Sequence, residues 1–440
     1  MESWTNFAVK SLTDNIVFHF TGNVHKNSFV IKTNSENLSV NGELHFLWSF
    51  KAWKNLVDCT ENCASILQHF AHTHDAMKSN VNTAEEVLKL LTRESDSWPV
   101  KIHKCSLQKE RVCLFLNRGD ILANSIRMAI EHGMMFGRSS SNGKTFSLKY
   151  QPDAQSDLTT RRLSIMRDVA AKVLNLHGYV LSPLEEKNCA GKYVFTSKSE
   201  GHVDEEYRKY VCGVVKNSQS NLKETDLTWE QYVKCKVNQL AELNEYKIIE
   251  SERSDEQKNL FLHTLASAIV IFELMAVKPS RAVVIGNNNN LTSDKNVTNT
   301  KGASFVLYNT ARIAAIIAKY NERVSCEDYP SLPNIQNVDF SQLNEEEEWE
   351  LVYNFIFGYP QMIDACVKCE PNFHVQPQLL CLFLLRLCQK FSVYYRKIKI
   401  LMEGDHLIPK MVARIYMLHA LQVVFENALD ILSIKPVSRM

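Results

Sequence analysis

The sequence predicts an α/β body over its first 285 residues or so, followed by an all-helical bundle. Three observations carry that expectation. Stretches alternating apolar and polar residues mingle with helix-spaced apolar residues through the first two thirds of the chain. A polar segment at 286–302, with four consecutive asparagines at 287–290, then interrupts the pattern. From Ser304 onward only helical spacing is left.

Taken in order, residues 1–150 form one α/β domain, with strands expected at 28–32 and 112–116 and helices around 48–70 and 121–135. Residues 151–285 continue the mixture. An amphipathic helix over 163–176 runs to Gly178, a residue that ends helices in the left-handed conformation, and a strand follows at 179–181. The segment 286–302 has too few apolar residues to bury surface and reads as a loop between domains. In the last domain, 303–440, the spacing of Ile313, Ile316, Ile317 and Tyr320, of Leu380, Leu384, Leu387, Phe391 and Tyr394, and of Met411, Ile415, Leu418, Phe425, Leu429 and Leu432 predicts long packed helices. The acidic run 345–348 precedes a helical-looking stretch, where the positive end of the helix dipole favours carboxylates.

Composition narrows the function classes. Fifty Lys and Arg stand against 49 Asp and Glu, so no bulk positive field draws the chain to nucleic acid or to anionic membranes. The longest apolar run, 262–277, is broken by His263, Thr264, Ser267 and Glu273 and is shorter than the roughly 20 residues of a spanning helix, so no membrane partner is expected. The N-terminus lacks a basic stretch followed by an apolar one, which predicts a cytoplasmic protein whose 12 cysteines are reduced thiols.

Few constellations point to chemistry. Gly137 and Gly143-Lys144-Thr145 resemble a phosphate-binding loop, but five residues intervene where convergence of the backbone N–H groups needs four. Cys59 and Cys63 with His69, His72 and His74 fit no zinc spacing and are expected as packing residues of an apolar helix. Cys366-x2-Cys369 lacks a second pair. No nucleophile motif occurs, so no catalytic residue, cofactor or metal is expected. The last sixty residues, in contrast, hold nine cations against four carboxylates. At 100° per residue Arg386, Lys390 and Lys397 fall within about 40° of one another, forming a basic ridge with Tyr394 and Tyr395 beside it. Cations that neutralise phosphates and rings that stack on unpaired bases are the means by which RNA loops are gripped.

The run Phe305-Val306-Leu307-Tyr308-Asn309-Thr310-Ala311-Arg312-Ile313 resembles the first helix of the DALR anticodon-binding domain of arginyl-tRNA synthetases. The final twelve residues, from Leu429 to Met440, are similar to that family's terminus, with Ser433 in place of a usual Gly, and Phe391-x3-Tyr395 matches its aromatic pair. Upstream, Gly137-Arg138-Ser139 to Tyr150 resembles the junction before the first catalytic strand. The synthetase signature His-x-Gly-His is expected next, but Asp157-Leu158-Thr159-Thr160 stands there, and Lys223-Glu224-Thr225-Asp226 replaces the later catalytic loop. The resemblance therefore implies a degenerate class I synthetase-like body joined to an all-α DALR bundle. Its implied role is that of a non-catalytic relative that recognises arginine tRNA and hands it to a tRNA 3-methylcytidine methyltransferase. Carried over by motif, Tyr308 and Arg312 on the first helix, Tyr395 and Lys399 on a central one, and Arg439 and Met440 at the terminus would face the anticodon loop, beside the ridge of Arg386, Lys390 and Lys397. A protein-interaction scaffold and a divergent synthetase are the alternatives.

Overall fold

The computed structural model describes residues 7–25, 29–57, 63–73, 84–182, 189–200, 206–242, 255–286 and 297–436. The elements begin with α1 (Val9–Thr21), β1 (Lys32–Thr33), α2 (Leu38–Asn41), β2 (Leu44–Leu47), α3 (Ile66–Thr73), α4 (Ala84–Glu94), β3 (Ile102–Gln108), β4 (Arg111–Leu116) and α5 (Arg118–His132). Next come β5 (Thr145–Tyr150), α6 (Asp157–Leu176), β6 (Val180–Leu181), β7 (Gly191–Thr196), β8 (Arg208–Val211), β9 (Val215–Asn217), α7 (Trp229–Glu242), α8 (Asp255–Met275) and β10 (Val283–Ile285). The chain closes with α9 (Val297–Ser325), α10 (Glu346–Leu351), α11 (Tyr359–Cys366), the short pair β11 (Val367–Lys368) and β12 (His374–Val375), α12 (Pro377–Lys397) and α13 (Ile408–Ile431). It divides into two compact units, one of residues 1–126 with 339–361, the other of 127–338 with 362–440. The segment 339–361, which sequence spacing grouped with the C-terminal helices, thus joins the first unit.

The first unit is built on an antiparallel sheet in the order β1-β2-β4-β3. Its core is aromatic: the Phe20 ring meets Phe46, Trp53 and Phe70 at centroid distances of 5.4, 5.5 and 5.6 Å. Of the strand expected at 28–32, Ser28 lies outside the described residues and the rest is realised only from Lys32, because Phe29 is 77% exposed while Ile31 is buried, so the alternation has no shared face. The helix expected around 48–70 is likewise divided. Residues 44–47 pair with β4, the chain turns through Ser49–Ala52, and α3 starts only at Ile66, where Ser65 Oγ accepts from Gln68 N–H at 3.0 Å. Glu43 is the polar centre of this unit. Its buried carboxylate accepts from Leu116 N–H (2.8 Å), Trp349 Nε1 (2.8 Å) and Arg118 Nη2 (3.3 Å). Glu345 and Glu348 close a capping box on α10, the structural role the acidic run predicts.

The second unit contains the parallel sheet β6-β5-β7-β8, with α6 as the crossover between β5 and β6. Ser156 Oγ caps α6 by accepting from Thr159 N–H. Just past its other end Gly178 has φ +79°, and a Cβ there would lie 2.2 Å from the Ser140 carbonyl oxygen, so only glycine fits. Arg162 lies fully buried on α6 and donates to the carbonyls of Leu274, Gly213, Arg281 and Lys278, joining α6 to the end of α8 and the loop beyond.

The helices α8, α9, α12 and α13 pack together. Of the expected interdomain loop, residues 287–296 lie outside the described residues, and 297–302 are helical instead. From Gly302 on the helix is packed, with Ala303, Val306 and Leu307 burying one face of α9 and Gly302 abutting Leu385 on α12. In contrast to the reading of the run 262–277, two stretches, Glu256–Met275 in α8 and Asp405–Ile431 ending α13, have the length and apolarity to cross a bilayer. Most of that surface, 61% and 56% of the windows, is buried within the protein.

Candidate nucleic-acid interface

The first helix of the bundle and the central one bring three of the expected residues together. Tyr308 and Arg312 are one turn apart on α9, and Tyr395 comes from the last turn of α12. The Arg312 guanidinium carbon lies 4.4 Å from the Tyr308 ring centroid and 4.5 Å from that of Tyr395, and its Nη2 donates to Tyr308 Oη at 2.6 Å. Cation–π attraction holds the planar cation against two rings that stay exposed to solvent, Tyr308 being 44% and Tyr395 41% exposed. Beneath them, buried Asn309 accepts from Ser392 Oγ (3.0 Å) and donates to the Phe305 carbonyl (2.8 Å), fixing α9 against α12. Such a surface offers rings for bases to stack on and guanidinium N–H groups for phosphate or base edges.

Other expected residues sit elsewhere. Tyr394 is fully buried and belongs to the core, not the surface. Arg386 and Lys397 are exposed and Lys390 is half-exposed on α12, but helical geometry puts Tyr395 about 140–180° around the axis from all three. Ridge and aromatic platform are therefore on opposite faces of α12. Leu382 and Val393, 43% and 44% exposed, lie along the ridge among its cations. Lys399 is exposed just beyond α12, and its carbonyl accepts from Arg414 Nη1 at 3.0 Å. Arg414, one of the nine cations counted in the sequence, is itself buried and positions this loop. Its place within the apolar run 411–418 was the available signal. Arg439 and Met440 lie outside the described residues.

Where catalytic signatures were expected, the chain satisfies its own polar groups. Asp157-Leu158-Thr159-Thr160 forms the first turn of α6, with Asp157 Oδ2 accepting from Trp229 N–H (2.6 Å) and Thr159 Oγ1 from Val215 N–H (3.1 Å). Lys223 Nζ donates to Asp153 (2.7 Å). Burial pushes the Asp153 carboxyl up, but bonds from Lys223, Ser197 and the Gln155 amide outweigh it and hold the group below its usual range. Buried Glu224 accepts from the Asp226 and Leu227 amides and from Asn217 Nδ2. Gly143-Lys144-Thr145 leads into strand β5 rather than into the helix a phosphate loop requires. Cys63 is buried ahead of α3, not on a helix, with His72 Nδ1 at 3.9 Å from its sulfur; Cys59 and His74 lie outside the described residues. Among the described residues no three His, Cys, Asp or Glu side chains converge as metal ligands would.

Comparison with known proteins agrees with this architecture. The fold is that of an arginyl-tRNA synthetase: the Thermus thermophilus enzyme superposes with a TM-score of 0.66 over 98% of this chain and 100% of its own, at 9% identity. Residues 306–440 match the DALR anticodon binding domain. The chain is 29% identical over 248 residues to the mouse DALR anticodon-binding domain-containing protein 3, across 55% of this chain and 45% of that relative. It is 23% identical over 192 residues to the arginine–tRNA ligase of Methanopyrus kandleri, across 44% of this chain and 28% of that protein. The chain thus spans about half the length of the mouse relative.

Proposed function

We propose that this protein is a non-catalytic adaptor that binds arginine tRNA in the cytoplasm and supports its 3-methylcytidine modification by a partner methyltransferase. The observation that carries RNA binding is the guanidinium of Arg312 held between the exposed rings of Tyr308 and Tyr395, on the domain that matches an anticodon binder. The non-catalytic part is supported by Asp157 and Glu224, carboxylates engaged with backbone amides where a synthetase carries its signatures. The arginine tRNA and the methyltransferase follow from the sequence resemblance.

The test is a titration of the purified chain with labelled arginine tRNA and an unrelated tRNA. Tyr395→Ala weakens arginine tRNA binding by about 5- to 100-fold, the effect of losing one stacked base, with the salt slope unchanged. Reversal of Arg386, Lys390 and Lys397 to Glu lowers affinity and flattens the slope by roughly one for each phosphate no longer neutralised. Addition of the chain to a purified tRNA 3-methylcytidine methyltransferase raises modification of arginine tRNA. Wild-type binding by both variants overturns the RNA reading. The interleaving of Leu382 and Val393 with the ridge cations favours a second reading, a protein scaffold, and under it the Glu reversals leave tRNA affinity untouched while abolishing binding of a protein partner.

A further inference from the structure

Along α13 the residues that escape burial form a stripe. Tyr416, His419, Gln422, Val423 and Glu426 follow one another at helical spacing and are half-exposed, while their neighbours on the helix are mostly buried. Ile130 of α5 and Leu332 of the segment after α9 complete the walls of a groove of about 350 Å³. That volume is at the small end of the roughly 300–1,000 Å³ in which proteins hold ligands.

The lining has a definite chemistry. Tyr416 Oη donates to the Pro333 carbonyl at 2.5 Å, which fixes the ring as a wall. The His419 imidazole lies 6.4 Å from that ring, and burial lowers its pKa, so it is a neutral surface at physiological pH. Ile130, Leu332 and Val423 are aliphatic. The charged lining residue is Glu426, whose carboxylate accepts from Gln422 Nε2 at 2.8 Å. Glu131, the residue after Ile130, is exposed on α5 and accepts from Gln336 Nε2 at 2.8 Å, and Arg127 on the same helix is directed to the Gln336 carbonyl at 3.4 Å. A few residues after Ile130 the chain turns through Met134 and Met135, 55% and 51% exposed, and Asn427 Nδ2 holds that turn to α13 through the Gly133 carbonyl at 2.9 Å.

We propose that this groove docks a protein segment carrying an apolar anchor followed by a lysine or arginine, the anchor seated among Ile130, Leu332 and Val423 and the cation meeting Glu426. A phosphate chain is the wrong occupant, since among the described residues no cation lines the groove and its charged lining side chain, Glu426, is a carboxylate. Docking here is independent of RNA binding at α9 and α12, so either activity can fail without the other.

The test selects displayed short random peptides on the full chain, with counter-selection on Val423→Glu. Enriched peptides share a bulky apolar residue followed within about one helical turn by Lys or Arg. They lose about tenfold or more in affinity for Val423→Glu. Glu426→Lys, a substitution at a half-exposed position, moves the preference to peptides with Asp or Glu after the anchor, and both variants keep wild-type melting and tRNA affinity. The proposal is overturned if no peptide survives counter-selection, if Glu426→Lys leaves the charge preference unchanged, or if Val423→Glu lowers tRNA affinity, which would assign the groove to RNA.

Discussion

Replacing Arg162 by Met keeps the buried stem but removes the guanidinium that four carbonyls share. Those carbonyls, of Leu274, Gly213, Arg281 and Lys278, lie 2.5–3.3 Å from its nitrogens, and the residue has no exposed surface. A hydrogen bond to a charged donor contributes about 1.5–3 kcal/mol, so four set an upper limit near 12 kcal/mol. The loop beyond α8 can turn some carbonyls to water, and Met retains the packing of the stem. An expected loss of about 4–5 kcal/mol results, comparable with breaking a buried ion pair and a large part of a domain's stability. Arg162→Lys retains the charge but only part of the fork, and loses about 2 kcal/mol. Burial lowers the Arg162 pKa to about 10, so the side chain is charged in both folded and unfolded chain below that pH and the ordering is flat across the neutral range. Hydrogen exchange in α8 is the assay: about 1,000-fold faster in the Met variant and about 30-fold in the Lys variant. Exchange within fivefold of wild type for Arg162→Met, or equal loss in both variants, refutes the reasoning.

Three further expectations follow from the same structure. Burial pushes the Glu43 carboxyl above its usual value against bonds from Leu116, Arg118 and Trp349, so its contribution is fully present below the ordinary carboxylate range and is lost as pH rises through the raised value. Glu43→Gln flattens that slope and costs about 1–3 kcal/mol at neutral pH, read from denaturation followed by tryptophan fluorescence. Asp153 has the opposite sign: its lowered pKa gives stability present at neutral pH and lost as acid protonates the carboxylate, and a double-mutant cycle of Asp153→Asn with Lys223→Met shows a coupling of about 1–3 kcal/mol that vanishes in acid. Ser433 holds φ +59° at the end of α13, so Ser433→Gly relieves about 1–2 kcal/mol of left-handed strain, gives back about 0.5–1 through the freer unfolded chain, and raises the melting temperature slightly, whereas Ser433→Val lowers it.

The parts of this fold that were legible in sequence are those fixed by local periodicity. The helices at 163–176 and through the last domain, and the glycine at 178, depend on spacing along one segment. The antiparallel and parallel sheets depend on pairing between distant segments, and the strand at 28–32 and the helix at 48–70 failed where such pairing or a missing buried face decided the outcome. Tyr308, Arg312 and Tyr395 were nominated by resemblance, but their stacking across two helices is a tertiary fact. The burial of Tyr394 was readable, since it shares the phase of Leu384, Leu387 and Phe391, and the same phase puts Tyr395 opposite the basic ridge. Asn309 and Ser392, the bond beneath the platform, gave no signal, because each is a single polar residue whose partner lies on another helix.

The adaptor account is tested most directly by purifying the protein from cells after crosslinking and sequencing the bound RNA, with Tyr395→Ala and the Arg386, Lys390 and Lys397 reversal in parallel. The account predicts enrichment of arginine tRNAs with the wild type and its loss in both variants. Recovery of no tRNA, or of all tRNAs alike with every variant, contradicts it.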